Sequence, residues 1–405
     1  MIDIRILRDS PELFKKRMGV RAKEDLLDRI LLLDVKRRES LREVEDLRAR
    51  QKKVKSPGEG KEVKVSRKEQ EEVLKKIDAE FKGLIDTVPN LPDEDVPPGF
   101  AENNKVMKTV GSPGKQEGPL HWEIIKLLDM VDFETASGIT ASFWPLLKGD
   151  GARLEMALIN FFLDENDEAG FTPVMVPALV SAASAYGTGQ LPKFEDDLYK
   201  VAEDDLYLIP TGEVPAGNLF RNKIIDSAKL PVKLQVFSQC FRREAGSWGK
   251  LGKGLIRNHQ FNKVEIFEFV KPESSEKVLE EIVERVSSLL QKLGLVHRIV
   301  LLAAGDTGFS SAKTYDIEVW MKGTGSWLEV SSCSNCRNFQ SRRTVTRFKN
   351  DSGKTEFVHT LNGSALAVGR IFAALCENFW DGQGAVVLPD CLKKYIGKNR
   401  IERKI

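Results

Sequence analysis

Phe261-Asn262-Lys263-Val264-Glu265-Ile266-Phe267-Glu268-Phe269 decides the fold class. A β-strand sends alternate side chains to opposite faces, so this run puts Glu265 on one face with Phe261, Phe267 and Phe269. A carboxylate among aromatic rings needs a partner, which makes Glu265 the first candidate for chemistry. Strand-like runs recur at 206–209, 232–237 and 315–320, and they alternate with helix-period stretches at 152–168, 276–293 and 364–379. Adjacent runs are separated by short turns, as in antiparallel meanders. The expectation for 120–405 is therefore an α+β domain with a mainly antiparallel sheet.

Upstream the period changes. Ser10 can cap a short helix, Pro11 fits its first position and Gly19 can end it. From Leu26 a seam steps by four and three through Ile30, Leu33, Arg37, Ser40, Val44, Leu47, Gln51 and Val54, and most of these positions are apolar. Ser56-Pro57-Gly58-Glu59-Gly60 breaks it, and a second seam runs through Leu74, Ile77, Phe81, Leu84 and Val88. The spacing predicts an antiparallel coiled-coil hairpin over about 24–88 within an N-terminal region 1–100. Residues 48–68, around the hairpin tip, hold nine Lys/Arg against two Glu, a net of +7. Such a cluster fits a solvated helix surface, and it equally fits a rod whose cationic end contacts a nucleic-acid backbone. Six of the 17 prolines fall in 87–119, which predicts an extended connector over 101–119.

The whole chain has 405 residues, 41% hydrophobic and 30% charged, enough for two or three domains and a large buried core. Global disorder and collagen are excluded. No run approaches the ~18 to 20 apolar residues that a membrane span requires, and the start lacks an export signal, so no membrane partner and a cytoplasmic location are expected. Five scattered cysteines argue against a disulfide framework. Net charge is +2, so a polyanion must be held by a local patch.

Two further placements ask for chemistry. Arg370 is the only charge between Gly363 and Cys376, among Leu366, Val368, Ile371 and Phe372, and a guanidinium there should meet an anion. Glu329 shares a strand face with Trp327 and Ser331. Pairing of these groups with one another as structural salt bridges is the competing reading. Phosphate-binding glycine loops are missing: Ser352-Gly353-Lys354-Thr355 imitates the end of one, but Phe348 stands where glycine is required. Any bound nucleotide must then be held by arginines. Cys333 and Cys336 have the spacing of half a zinc site with no second pair, so zinc is not expected.

Several longer segments occur in one order along the chain: 147–155 (LKGDGARLE), 187–194 (GTGQLPKF), 209–215 (IPTGEVP), 240–246 (CFRREAG), 254–261 (GLIRNHQF), 315–320 (YDIEVW), 329–336 (EVSSCSNC) and 359–364 (HTLNGS) through Arg370. Together they make the chain resemble the seryl-tRNA synthetases of bacterial type nearly end to end. The resemblance implies a class II synthetase core, an N-terminal hairpin that grips tRNA, and a homodimer formed through 171–180. It implies ATP and Mg²⁺ as substrate and cofactor, with serine and tRNA(Ser) as partners and tRNA(Sec) left open. It also implies roles: Arg242 on the α-phosphate and the serine carboxylate, Arg243 and Glu244 at ATP with Glu244 at the adenine end, and Arg370 at the γ-phosphate, so that Arg242, Glu244 and Arg370 carry the catalysis. Glu329, Val330, Ser331 and Ser332 match the ATP segment, with Glu329 and Ser332 as Mg²⁺ ligands. Thr211, Gly212, Glu213, Glu265, Asn362 and Ser364, with Arg242, match serine-binding positions. Arg48, Arg50, Lys52, Lys53, Lys55, Lys61 and Lys64 are the implied tRNA contacts.

There are departures from the family pattern. Gly212 stands where Ala is usual, Asn338 and Ser341 replace Asp and Ala, the loop 247–253 lacks the common Asp-Thr-Arg, 140–144 lacks an arginine, and the hairpin is short. Two alternatives belong beside the ligase: a paralogue that activates an amino acid for a carrier protein, and a non-catalytic RNA-binding paralogue. The basic hairpin speaks against the first, and retention of Arg242, Glu244, Glu329 and Arg370 against the second.

Overall fold

A computed structural model describes residues 1–245 and 253–403. Helices α1 (Ile4–Asp9) and α2 (Pro11–Met18) lead into α3 (Glu24–Lys53) and α4 (Pro57–Ile85), which pack as the expected hairpin. Ile30, Leu33 and Val44 are buried in its seam. The polar seam positions are satisfied across the pair: Arg37 lies over the Phe81 ring at 5.5 Å and donates to Asp78 at 2.5 Å, and Ser40 accepts from Gln70 at 3.1 Å. The break is shorter than the sequence suggests. Pro57 opens α4, because its fixed φ suits a first helical position, and Gly58 and Gly60 lie within the helix. At the root, Leu7, Phe14, Met18, Leu27 and Ile30 share one core with Val88, Phe309 and Phe339, which ties the hairpin to the rest of the chain. No helix among the described residues is long and apolar enough to cross a membrane.

An eight-stranded sheet follows, made of β1 (Lys105–Val110), β2 (Thr172–Pro173), β3 (Val232–Phe241), β4 (Gln260–Val270), β5 (His297–Leu301), β6 (Lys313–Met321), β7 (Ser326–Arg337) and β8 (His359–Ala367). Their spatial order is β1-β5-β6-β7-β8-β4-β3-β2, antiparallel throughout except where β2 runs parallel to β3. Helices α5 (Asp150–Glu168), α6 (Ser275–Lys292) and α7 (Val368–Asn378) cover one face. The alternation in β4 assigns Val264, Ile266 and Val270 to that helical side, while Phe261, Lys263 and Glu265 face a cavity on the other.

Two expectations need correction. The segment 101–119 does more than connect: Lys105–Val110 forms edge strand β1 against β5. Almost all of β1 is exposed, so it carries no hydrophobic alternation for a sequence reading to catch, and its two lysines suit an edge. The expected helix at 364–379 begins only at Val368. Ser364 to Ala367 continue strand β8, with Ser364 paired to Glu265 and an irregularity before Ala367 pairs with Lys263. A short apolar run reads alike as strand or helix, and the neighbouring strand decides it.

Candidate active site

β4 presents Lys263 and Glu265 side by side to the cavity, where they form a buried ion pair. Thr211 is bonded to both: its Oγ1 accepts from Lys263 Nζ at 2.6 Å and donates to Glu265 Oε2 at 3.3 Å. The partner that Glu265 needs is thus Lys263, two residues earlier on the same strand face. Glu213 Oε1 accepts from Gln340 Nε2 at 2.5 Å and from Asn362 Nδ2 at 3.0 Å. Burial, reinforced by the negative charge of Glu265, pushes the Glu213 carboxyl up to about 7. Ser364 lines the same space from β8. Gly212 stands behind it, where a Cβ would come within 3.1 Å of both Ser238 and Val236 on β3.

The other end of the cavity is cationic. Arg242, just past the end of β3, lies over the Phe261 ring at 5.2 Å and donates through Nε to Pro210 O at 3.3 Å. It makes no ion pair among the described residues. Its amide donates to His259 O at 2.9 Å, which continues the β3–β4 pairing one residue past the strand end. Glu244 accepts from Arg257 Nη1 at 2.9 Å. Arg370, on α7, donates through Nη1 to Glu329 O at 2.7 Å, and the same nitrogen lies 3.3 Å from Glu329 Oε1. The anion that Arg370 meets is therefore Glu329, as the structural reading expects, and the pair stands on the cavity wall.

Oxygen donors gather beside this pair. Glu329 keeps a half-exposed carboxylate, Ser332 turns toward the cavity, and Asp316 is the residue opposite Ser332 across the β6–β7 ladder. Asp316 Oδ1 is buried without a hydrogen-bond partner, and burial together with the charge of Glu329 holds its carboxyl well above the usual range. Hard oxygens with no nitrogen or sulfur among them suit Mg²⁺, which binds through one or two carboxylates and leaves positions for water and phosphate. Cys333 and Cys336 instead contact serine hydroxyls, at 3.6 Å for Ser331 and 3.8–3.9 Å for Ser310 and Ser311.

The cavity holds about 480 Å³. Among the residues singled out by sequence, it brings together Thr211, Glu213, Arg242, Glu244, Glu265, Glu329, Val330, Ser332, Asn362, Ser364 and Arg370. Three stand apart: Gly212 behind the wall, Arg243 exposed with its amide on Asp197 O, and Ser331 turned to donate to Ser364 O at 2.6 Å. The implied acceptor-end loop at 247–253 lies outside the described residues except for Lys253. Sequence reasoning missed Lys263, Arg257 and Gln340. Lys263 could have been found, since period-two alternation puts it on the face of Glu265. Gln340 could not, because its partners Thr188, Glu213 and Thr360 are remote in sequence. A zone of two arginines beside a carboxylate-rich niche can seat a polyphosphate next to a small zwitterion.

At the far end of the hairpin, Arg48 is bonded to Glu71 at 2.8 Å across the helix pair. Arg50, Lys52, Lys53, Lys55, Lys61 and Lys64 are exposed and make no ion pair among the described residues. Ser352-Gly353-Lys354 forms an exposed turn, and none of the three lines the cavity.

Residues 1–92 match the family described as the seryl-tRNA synthetase N-terminal domain, and residues 193–379 match the tRNA synthetase class II core domain (G, H, P, S and T). A serine–tRNA ligase of Thermodesulfovibrio yellowstonii is 44% identical, with 98% of this chain and 99% of that protein covered. One of Thermoanaerobacter pseudethanolicus is 44% identical over 100% of both. Among solved structures, a Pyrococcus horikoshii seryl-tRNA synthetase complexed with ATP superposes with a TM-score of 0.94 at 34% identity, covering 100% of both chains. A cytoplasmic serine–tRNA ligase of Naegleria fowleri in complex with AMP gives 0.91 at 27% identity, covering 100% of this chain and 99% of its own.

Proposed function

The chain belongs to the seryl-tRNA synthetase family, and on that premise we propose how its residues divide the work of charging tRNA with serine. The observation that carries the account is Arg242, a cavity-lining guanidinium with no ion pair among the described residues, set between an aromatic face and a carboxylate niche. It holds the ATP α-phosphate and the serine carboxylate together. The carboxylate attacks the α-phosphorus in line and the bond to pyrophosphate breaks; the 3′-terminal ribose hydroxyl of tRNA then attacks the seryl carbonyl, the acyl–phosphate bond breaks, and AMP leaves as the hydroxyl gives up its proton. No protein nucleophile takes part. Catalysis is positioning plus neutralisation of phosphate charge, with Arg370 on the γ-phosphate and Glu244 at the adenine end. Glu329 and Ser332, backed by Asp316, would hold a magnesium ion, which supplies positive charge to the polyphosphate when bound.

Thr211, Glu213, Glu265, Asn362 and Ser364 read serine. The serine hydroxyl offers these buried polar groups a hydrogen bond that alanine cannot return, and a site built on such a bond discriminates by ~10⁴ or more. Threonine is excluded by shape. The tRNA is gripped by the unpaired cations at the hairpin tip, and a second copy of the chain packs on the apolar stretch near Met175, which is fully exposed in the single chain. Five cysteines free of disulfides support a cytoplasmic site. The test is serine-dependent pyrophosphate exchange into ATP. Arg242→Ala and Glu329→Ala should each lower it by about 10² or more, with circular dichroism unchanged. Full exchange in either variant overturns the role assigned to that residue.

A further inference from the structure

One wall of the cavity is formed by Gly308, Phe309, Ser310 and Ser311, in the connection from β5 to β6. The N-terminal region supplies much of what holds this connection. Ala304 and Gly305 donate their amides to Pro97 O and Gly99 O, each at 2.8 Å, and Ala303 donates to the Asn104 side chain at 2.7 Å. Asn90 donates its amide to Phe309 O and its Nδ2 to Ser310 O, both at 2.9 Å. The Phe309 ring is buried in the core at the root of the hairpin.

Arg21, in the single turn after α2, completes this clamp. Its Nη1 donates to Ala304 O at 2.7 Å and Thr307 O at 3.1 Å, and its Nη2 to Gly308 O at 2.9 Å, with Phe309 O and Ser311 O each 3.4 Å away. No carboxylate among the described residues pairs with it. Burial lowers its pKa to about 10, so it is still a cation at neutral pH. A buried guanidinium without a counter-ion is expensive unless its donors are used, and here both terminal nitrogens are used, with Nε left unpartnered, on a loop whose other side faces the cavity.

The wall meets the serine end rather than the phosphate end. Cys336 Sγ lies 3.8 Å from Ser310 Oγ and 3.9 Å from Ser311 Oγ, and Asn362 Nδ2 is 3.9 Å from the same sulfur while donating to Glu213 at 3.0 Å. We infer that Arg21 is a positioning residue for the amino-acid subsite, acting through the carbonyls of 304–308 to set where Ser310 and Ser311 stand beside Asn362 and Glu213. The N-terminal region is then part of the serine site as well as a tRNA arm. This rests on the serine subsite assigned above.

The experiment is pyrophosphate exchange by the full-length chain, with serine and ATP titrated separately. Arg21→Ala should raise the KM for serine by about tenfold, since small misplacements of a binding wall are costly. Arg21→Lys, which keeps the charge but not the fork, and Asn90→Ala should raise it several-fold, while the KM for ATP stays within about twofold for all three. The two milder variants carry the test should Arg21→Ala fail to fold. An unchanged KM for serine, or equal rises for serine and ATP, overturns the proposal. Thr211→Val separates the two readings: a raised KM for serine there without one in the Arg21 variants sinks the clamp alone, and no change in either sinks the serine subsite as well.

Discussion

Glu268 sits on the face of β4 opposite Glu265, and both of its carboxylate oxygens are buried without a hydrogen-bond partner. Burial raises its pKa from 4.5 to about 7, against the weaker pull of Lys233. The folded chain therefore keeps a proton that the unfolded chain releases. Stability from this group is complete below about pH 4.5 and is lost as pH rises through about 7. Glu268→Gln lacks the titration, so the stability of the wild type relative to this variant should fall by roughly 2–3 kcal/mol between about pH 5 and about pH 8. Urea unfolding at both pH values measures it, and a constant gap would show that Glu268 does not hold the proton. Other residues were legible in the sequence itself. Glu265, Glu329 and Arg370 stood out because each interrupts an apolar pattern, and each lines the cavity. Lys263 hid because a lysine two residues from a carboxylate on a strand reads as an ordinary surface pair, and Gln340 hid because only the tertiary fold gives it partners.

Among the elements, the long ones announced themselves and the short ones did not. The coiled-coil hairpin was visible because a heptad seam repeats over two helices of about 30 residues, and the sheet because its central strands alternate. β1 and the last residues of β8 were hidden by an exposed edge and by a short apolar run whose strand character comes from its neighbour. The hairpin also gives the clearest separation of the two half-reactions. Replacing 54–62 by a short turn removes Lys55 and Lys61 and moves the remaining tip cations, while the root core at Leu27, Ile30 and Val88 stays intact. Transfer of serine to tRNA should drop by about tenfold or more and become less salt-dependent, because each lost phosphate contact releases fewer counterions. Exchange should stay near wild type. Equal loss of both activities would refute the arm.

For the whole molecule, the apolar surface around 171–180 is the feature a single chain leaves unexplained. Met175 is 100% exposed, with Leu179 and Phe237 also open to solvent. The proposed second copy, seated on the same patch, would bury them symmetrically. Light scattering should report about twice the 45.5 kDa chain mass, and Met175→Asp should shift the equilibrium toward one chain. A wild-type mass of one chain at micromolar concentration would remove the dimer from the account.

The packed hairpin sets one more rule. A helix of 30 residues at about 1.5 Å each spans about 45 Å, and its root is bolted to the catalytic body through Phe309 and Phe339. Inserting one residue would swing everything beyond it by about 100° and unmesh the two helices. A change of length that keeps this seam in mesh adds whole heptads to both helices, in strides of about 10 Å, so the rod behaves as a ruler with coarse graduations.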